Sequence, residues 1–361
     1  MQRDDGVPNM ARRGLLGGAA GLAALGGGSA GAAARTYKRI ACEEAFTTPE
    51  IIEASRRRAN NIPSMTSGPI AGPILPPLLD IGAGRIADMD RDGIDIQIIA
   101  LTSPGVQHLQ ANEAVRLARL VNDRLAEAVV AYPKRFAPLV TIAPQDPAAA
   151  VAEAERCLKT RGFCGLMINS HTAGEYLDQP KFWPILEAAQ AMDAPIYIHP
   201  NAPGPGVAGA AIPGFTVGWA YAVETGTHVL RLIGAGVFER FPKLRVVIGH
   251  MGEMIPFVLQ RLDNRYAFEM SLFGQKPLPL SPSQYFRRNI SVTTSGMNYA
   301  TPLRATIDQL GVDNILFAVD YPLEDQARVV ADFERIPLSP SERRRICETN
   351  PARVFKLEHM L

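Results

Sequence analysis

The sequence predicts an α/β protein, a (β/α)8 TIM-like barrel. Three observations carry this: eight short apolar runs rich in β-branched residues, helical patterns between them, and ionisable side chains placed where four of the runs end. The runs cover residues 39–46, 94–101, 136–144, 163–170, 195–200, 245–252, 289–296 and 315–321. Continuous apolar runs of this kind suit strands buried on both faces. Strand and helix in alternation call for a parallel sheet with right-handed crossovers. Eight is the number of strands that closes a barrel.

In chain order, residues 1–34 stand apart from the folded body, a barrel with a C-terminal helix over 35–361. Arg12 and Arg13 precede an uncharged stretch from Gly14 to Ala34 that finishes in A-A-A. That order reads as a twin-arginine export signal with a small-residue cleavage site, which places the mature chain in the periplasm or another extracytoplasmic space. A membrane anchor is the alternative, but it needs about 20 strongly apolar residues. Only Leu15, Leu16, Leu22 and Leu25 are large here.

The first strand, R-I-A-C-E-E-A-F, ends at Glu43, and alternation points its neighbour Cys42 the other way. Residues 60–77 are Pro/Gly-rich and too long for an ordinary βα loop, so a lid or an oligomer contact is expected. The second strand ends near Thr102 and the fourth at Asn169 and His171, all on the same rim. Helices are expected over Asn112–Ala131, Pro147–Lys159, Phe182–Met192, Trp219–Phe238 and Pro256–Met270. The fifth strand ends at His199, the sixth at His250 with Glu253 three residues on, and the eighth at Asp320. From Ser339 onward, S-P-S-E opens a capped terminal helix expected to pack on the barrel base.

The whole chain has 37 Lys+Arg against 36 Asp+Glu. Residues 1–34 hold three Arg and two Asp, so the mature chain has 34 of each sign and no net charge. This excludes nucleic acid and anionic membrane surfaces as partners chosen by charge. The four cysteines show no C-x-x-C spacing and receive no chemistry. His108, His228 and His359 read as structural, His228 as the i, i+4 partner of Glu224.

Active sites of such barrels lie at the C-terminal ends of the strands. Glu43, His199, His250 and Asp320 all fall there, and closure makes strands one and eight neighbours. Carboxylate and neutral imidazole suit one divalent ion, Mn²⁺ or Zn²⁺, with acid/base partners beside it. Arg261 is a candidate for binding a substrate carboxylate bidentately, or else a surface arginine on its helix.

The motifs E-E-A-F, R-I-A-D-M-D-R-D-G-I-D, A-L-T-S-P-G-V-Q, A-P-Q-D-P, I-N-S-H-T, Y-I-H-P, V-E-T-G-T-H, G-H-M-G-E, V-D-Y-P and N-P-A-R-V-F follow in order over about residues 38–357. In these the chain resembles the ACMSD-like branch of the amidohydrolase superfamily, amidohydrolase family 2. That branch holds metal-dependent nonoxidative decarboxylases and some hydrolases; the nearest likeness is to 5-carboxyvanillate decarboxylases, then dihydroxybenzoate decarboxylases. The resemblance implies Glu43, His199 and Asp320 as metal ligands, His250 near the substrate and Glu253 behind it. Asp320 is then the acid that protonates the ring, with His250 and Glu253 as its relay. Thr102, Asn169, His171 and Arg261 stand as substrate-binding candidates.

The substrate implied is a small ortho-hydroxybenzoate-type acid, and the assembly a homodimer or homotetramer. Many relatives place His two residues after the first glutamate, where this chain has Ala45, which leaves a further coordination position open. The resemblance also implies an arginine in the loop after the first helix, reaching for substrate carboxylates. No Arg or Lys occurs between Arg58 and Arg85. Hydrolysis of a lactone or amide on the same metal is the competing activity, and a catalytically silent exported binding protein the alternative outside catalysis.

Overall fold

Eight parallel strands run in the order β1 (Ile40–Phe46), β2 (Ile96–Leu101), β3 (Phe136–Thr141), β4 (Gly165–Asn169), β5 (Ile196–His199), β6 (Val246–Ile248), β7 (Ile290–Thr293) and β8 (Ile315–Leu316), each paired with the next. This is a computed structural model, and it describes residues 35–57, 71–160 and 162–361. The predicted export signal therefore lies outside the described residues, as does the 60–70 part of the Pro/Gly-rich segment. Among the described residues no helix is long and apolar enough to cross a membrane.

β8 is shorter than its apolar run because its later amides have other acceptors. Phe317 donates to the Ile346 carbonyl at 2.9 Å. Val319 and Tyr321 donate to the Glu44 carboxylate at 3.1 and 2.9 Å. The seam between the last strand and the first is completed by Cys42 N–H to Phe317 O (3.0 Å) and Ala45 N–H to Tyr321 O (2.7 Å). Chemistry placed on β1 and on the chain after β8 is thereby brought side by side.

Alternation sorts the strand residues into two layers. Ile98, Leu139, Met167, Tyr197 and Val247 fill the barrel interior, together with Phe355, Leu357 and Met360 of the tail, which plug its base. Ile99, Val140, Ile168, Ile198, Ile248 and Val292 face outward and pack under the helices. The capping box of Ser339 and Glu342 opens the terminal helices as expected.

Two expected elements differ. Ala71–Leu79, which overlaps the end of the expected loop 60–77, is helical; Pro76 and Pro77 sit within it, and the buried Arg85 guanidinium caps Pro77 O. The expected helix 219–238 ends at Gly234, because Gly236 takes φ 70° and starts a separate turn, Val237–Arg240.

β1 carries a bulge. Ala41 pairs with Gln97, yet Glu44 pairs with Ile99, so β1 spends one extra residue between them. The expectation that Cys42 points away from the interior is corrected by this bulge. Cys42 lies in the interior layer with Ile98 and Leu139, while Glu43 also turns inward and Glu44 is moved to the seam. Burial pushes the Cys42 thiol well above its usual range, in keeping with a packing role.

Candidate active site

Glu43 enters the mouth of the barrel under the end of β6. Its Oε2 accepts hydrogen bonds from Thr293 Oγ1 at 2.6 Å and from Ser295 Oγ. Oε1 is buried with no hydrogen-bond partner. Burial works to raise the Glu43 pKa, but His250, His199 and the two hydroxyls outweigh it and hold the carboxyl below its usual value.

His199 donates from Nδ1 to Pro200 O at 2.8 Å, which leaves the Nε2 lone pair directed into the site. Nε2 is 3.7 Å from the unpartnered Glu43 Oε1. Two acceptors facing each other inside a barrel are unfavourable unless a proton or a cation stands between them.

Asp320 supplies a third donor. Its backbone is in the left-handed region at φ 77°, and its buried Oδ1 also lacks a hydrogen-bond partner. Oδ2 lies 3.7 Å from His250 Nε2.

Between these groups is a pocket of about 10 Å³, lined by Glu43, Ala45, Thr102, Tyr197, His199 and Asp320 among others. That is room for about one water-sized atom. Among the described residues no three His, Cys, Asp or Glu side chains are drawn together into a finished ion cage. The orphaned carboxylate oxygens and the free imidazole lone pair nonetheless fit one divalent cation by chemistry. The short Ala45 side chain leaves further ligand positions open.

His250 begins a turn in which five consecutive residues, His250 to Met254, have positive φ. Left-handed backbone costs a non-glycine residue roughly 1–2 kcal/mol, and a run of it marks a site where geometry is imposed. The turn folds Glu253 back beneath the ring, so that His250 Nδ1 donates to Glu253 Oε1 at 2.8 Å. Burial opposes a charged imidazole here, but Glu253, Glu43 and Asp320 prevail and raise the His250 pKa well above its usual value.

A cavity of about 210 Å³ opens above, and Thr102, His199 and Asp320 line both spaces. Its other walls include Ser103, Val217, Tyr221, His250, Glu253, Met254, Met297, Leu323 and Glu324. Thr102 keeps its predicted place, and its Oγ1 has no hydrogen-bond partner.

A family model described as Amidohydrolase matches residues 74–357. The chain belongs to the amidohydrolase family. Among curated relatives, it is 35% identical over 331 residues to a γ-resorcylate decarboxylase from Polaromonas sp. strain JS666, covering 88% of this chain and 98% of that one. Among solved structures of this amidohydrolase group, it is similar to 5-carboxyvanillate decarboxylase from Sphingomonas paucimobilis: TM-score 0.84, 39% identity, 89% of this chain and 99% of the other. A dihydroxybenzoic acid decarboxylase from Polaromonas sp. JS666, solved with bound manganese and 2-nitroresorcinol, matches with TM-score 0.78 and 34% identity over 89% of this chain and 97% of its own.

Three predicted substrate-binding residues do not line the cavity. His171 spends both ring nitrogens on the scaffold, donating from Nε2 to Ala202 O at 3.0 Å and accepting at Nδ1 from Gly174 N–H at 3.0 Å. Asn169 is buried below the rim, where its backbone N–H donates to Gln107 Oε1 at 2.7 Å and its backbone carbonyl accepts from Asn201 Nδ2. Arg261 lies exposed at the start of helix Leu259–Leu272, beside a separate groove with Phe257, Gln260, Asn264 and Phe268. The left-handed turn and the break at Val258 explain this, because residues 253–261 are not one continuous helix.

The structure adds Thr293, Ser295 and Gly249 to the amidohydrolase site. Thr293 and Ser295 share one face of the I-S-V-T-T-S run, a hydroxyl alternation that was the available signal. His228 is structural as expected, but it does not pair directly with Glu224. Ser170 Oγ joins them, at 2.8 Å from Glu224 Oε1 and 3.4 Å from His228 Nδ1.

Proposed function

We propose that this chain removes CO2 without oxidation from an ortho-hydroxybenzoate-type aromatic carboxylic acid, a carbon–carbon lyase reaction. The observation that carries the reading is the pair of orphaned carboxylate oxygens, Glu43 Oε1 and Asp320 Oδ1, with the His199 lone pair, under a cavity that also holds the His250–Glu253 pair. The decarboxylase names of the similar proteins, one solved with manganese, support it.

Glu43, His199 and Asp320 would hold a divalent ion, Mn²⁺ before Zn²⁺. When bound, that ion supplies the positive charge that orients a carboxylate and its ortho oxygen and offsets charge developing on them. The chain's own residues supply the proton. Asp320 carries it to the ring carbon that bears the carboxylate, the C–C bond to the carboxylate breaks, and its electron pair restores the aromatic ring as CO2 leaves. His250 Nε2, 3.7 Å from Asp320 Oδ2, is placed to return a proton to Asp320, and Glu253 fixes the orientation of the ring.

Mass spectrometry of products from Mn²⁺-loaded protein and a panel of ortho-hydroxybenzoates tests this. Loss of one CO2, abolished by chelator and by Asp320→Asn, is expected. Turnover of lactones or amides instead would assign a hydrolase.

An oligomer belongs to the same proposal. Phe257 and Phe268 beside Arg261, and Leu272 and Phe273 at the far end of the same helix, are each more than half exposed, apolar side chains of the kind that partners cover. Light scattering after gel filtration reads the subunit number. Export is proposed from Arg12, Arg13 and the Gly/Ala stretch, and N-terminal sequencing of the mature protein checks it.

A further inference from the structure

The charges around the cavity bear on which acids can enter it. Its described lining carries no lysine or arginine, whereas Glu253, Asp320 and Glu324 are all carboxylic. Glu43, His199 and Asp320 would hold a cation whose charge would answer one substrate carboxylate at the floor. A second carboxylate, projecting from the ring toward the mouth, would meet no positive side chain among the described lining residues.

Two described arginines on neighbouring segments are engaged elsewhere. Arg85, the first described cation after the helix Pro49–Arg57, is buried with its guanidinium on Ala45 O, Pro77 O, Asp80 O and Gln97 Oε1. Arg328 pairs with Glu324 Oε2. Glu324 is fixed in the turn that follows Asp320, its N–H on Asp320 O at 3.0 Å. The other oxygen, Oε1, borders the space that a Gly296 side chain would fill: a Cβ there would stand 3.9 Å from Oε1 and 3.3 Å from His250 Cδ2. The Glu324 carboxylate thus looks across the vacant side of Gly296 toward the acid/base imidazole, and a ring lying there would face an acceptor.

We infer that this cavity selects a hydroxybenzoate with a single carboxylate, and that Glu324 is the selecting group. Resting on the decarboxylase reading above, the inference narrows its substrate class. Glu324 Oε1 accepts a hydrogen bond from a ring hydroxyl and repels a carboxylate at the same position. The remaining wall, Val217, Tyr221, Met254, Met297 and Leu323, suits the apolar ring edge.

The test compares kcat/KM of the Mn²⁺-loaded full chain for 2,6-dihydroxybenzoate and for 5-carboxyvanillate, in the wild type and in Glu324→Gln. The wild type is expected to favour the single-carboxylate acid by roughly 100-fold. Glu324→Gln should narrow that ratio by about tenfold, mainly by lowering KM for the diacid. A wild type that prefers the diacid, or a ratio unmoved by Glu324→Gln, overturns the inference and leaves the decarboxylase reading intact. Calorimetric binding of the same two acids to metal-loaded protein decides the point when neither loses CO2. In that case the reaction assignment fails, while tighter binding of the single-carboxylate acid, weakened in Glu324→Gln, still upholds the selection. Tighter binding of the diacid, or no binding of either, overturns it.

Discussion

Glu44 grips the backbone on both sides of Asp320. Its two carboxylate oxygens accept the amides of Val319 and Tyr321, so the residue next to Glu43 in sequence fixes the position of the carboxylate that faces Glu43 in space. Burial pushes the Glu44 pKa up to about 8, although both amide hydrogen bonds act to lower it. Groups that orient metal ligands in this way typically influence affinity by 10–100-fold. Glu44→Ala is therefore expected to weaken Mn²⁺ binding by about 10–100-fold, read by titration calorimetry. Unchanged affinity in a folded variant would remove Glu44 from the site.

Gly249 is the second point of close approach. A Cβ there would stand 2.5 Å from Glu43 Oε1 and 2.8 Å from Oε2. Gly249→Ala should displace the carboxylate, cost roughly 1–3 kcal/mol of stability by overpacking, and reduce bound manganese measured by elemental analysis after dialysis.

Glu253 touches the imidazole and not the cavity floor, so its removal should separate kcat from KM. Glu253→Gln is expected to lower kcat by about 10–100-fold with KM changed less than about threefold. Steady-state kinetics across pH read this; a rise in KM alone would assign Glu253 to substrate binding.

His228 gives a stability effect that can be read without substrate. Burial depresses its pKa to about 3, helped by His171 and Arg231. The unfolded chain takes up the proton near its ordinary value of about 6.5. Stability is thus full above that value and is lost as pH falls from there toward 3. The loss should be about 3 kcal/mol by about pH 4.5. His228→Gln, which can still accept from Leu177 N–H, should flatten the slope in urea titrations; a parallel slope would refute the assignment.

The barrel was legible because its strands are uninterrupted apolar runs and its ionisable residues close them. Strand count, the seam between first and last, and the His250–Glu253 pairing all follow from that pattern. Positions that depend on departures from regular geometry were not legible. The bulge in β1 turned Cys42 inward against simple alternation, and the left-handed turn after β6 carried Arg261 away from the mouth. His171 reads as a substrate-binding residue because a histidine near a strand end looks the same in sequence whether its nitrogens are free or bound to carbonyls and amides nearby. Thr293 and Ser295 do not stand out in the sequence, since hydroxyls in a strand are ordinary and it is the buried Glu43 oxygen that makes them special.

The run of positive φ from His250 to Met254 has a consequence for timing. Its conformational cost is met when the chain folds, by the packing of Met251 and Ile255 in the core, and none of it is left for the moment a ligand arrives. The imidazole and its carboxylate support are therefore already joined before any ligand arrives. A ligand entering the cavity would meet that pair as folding left it.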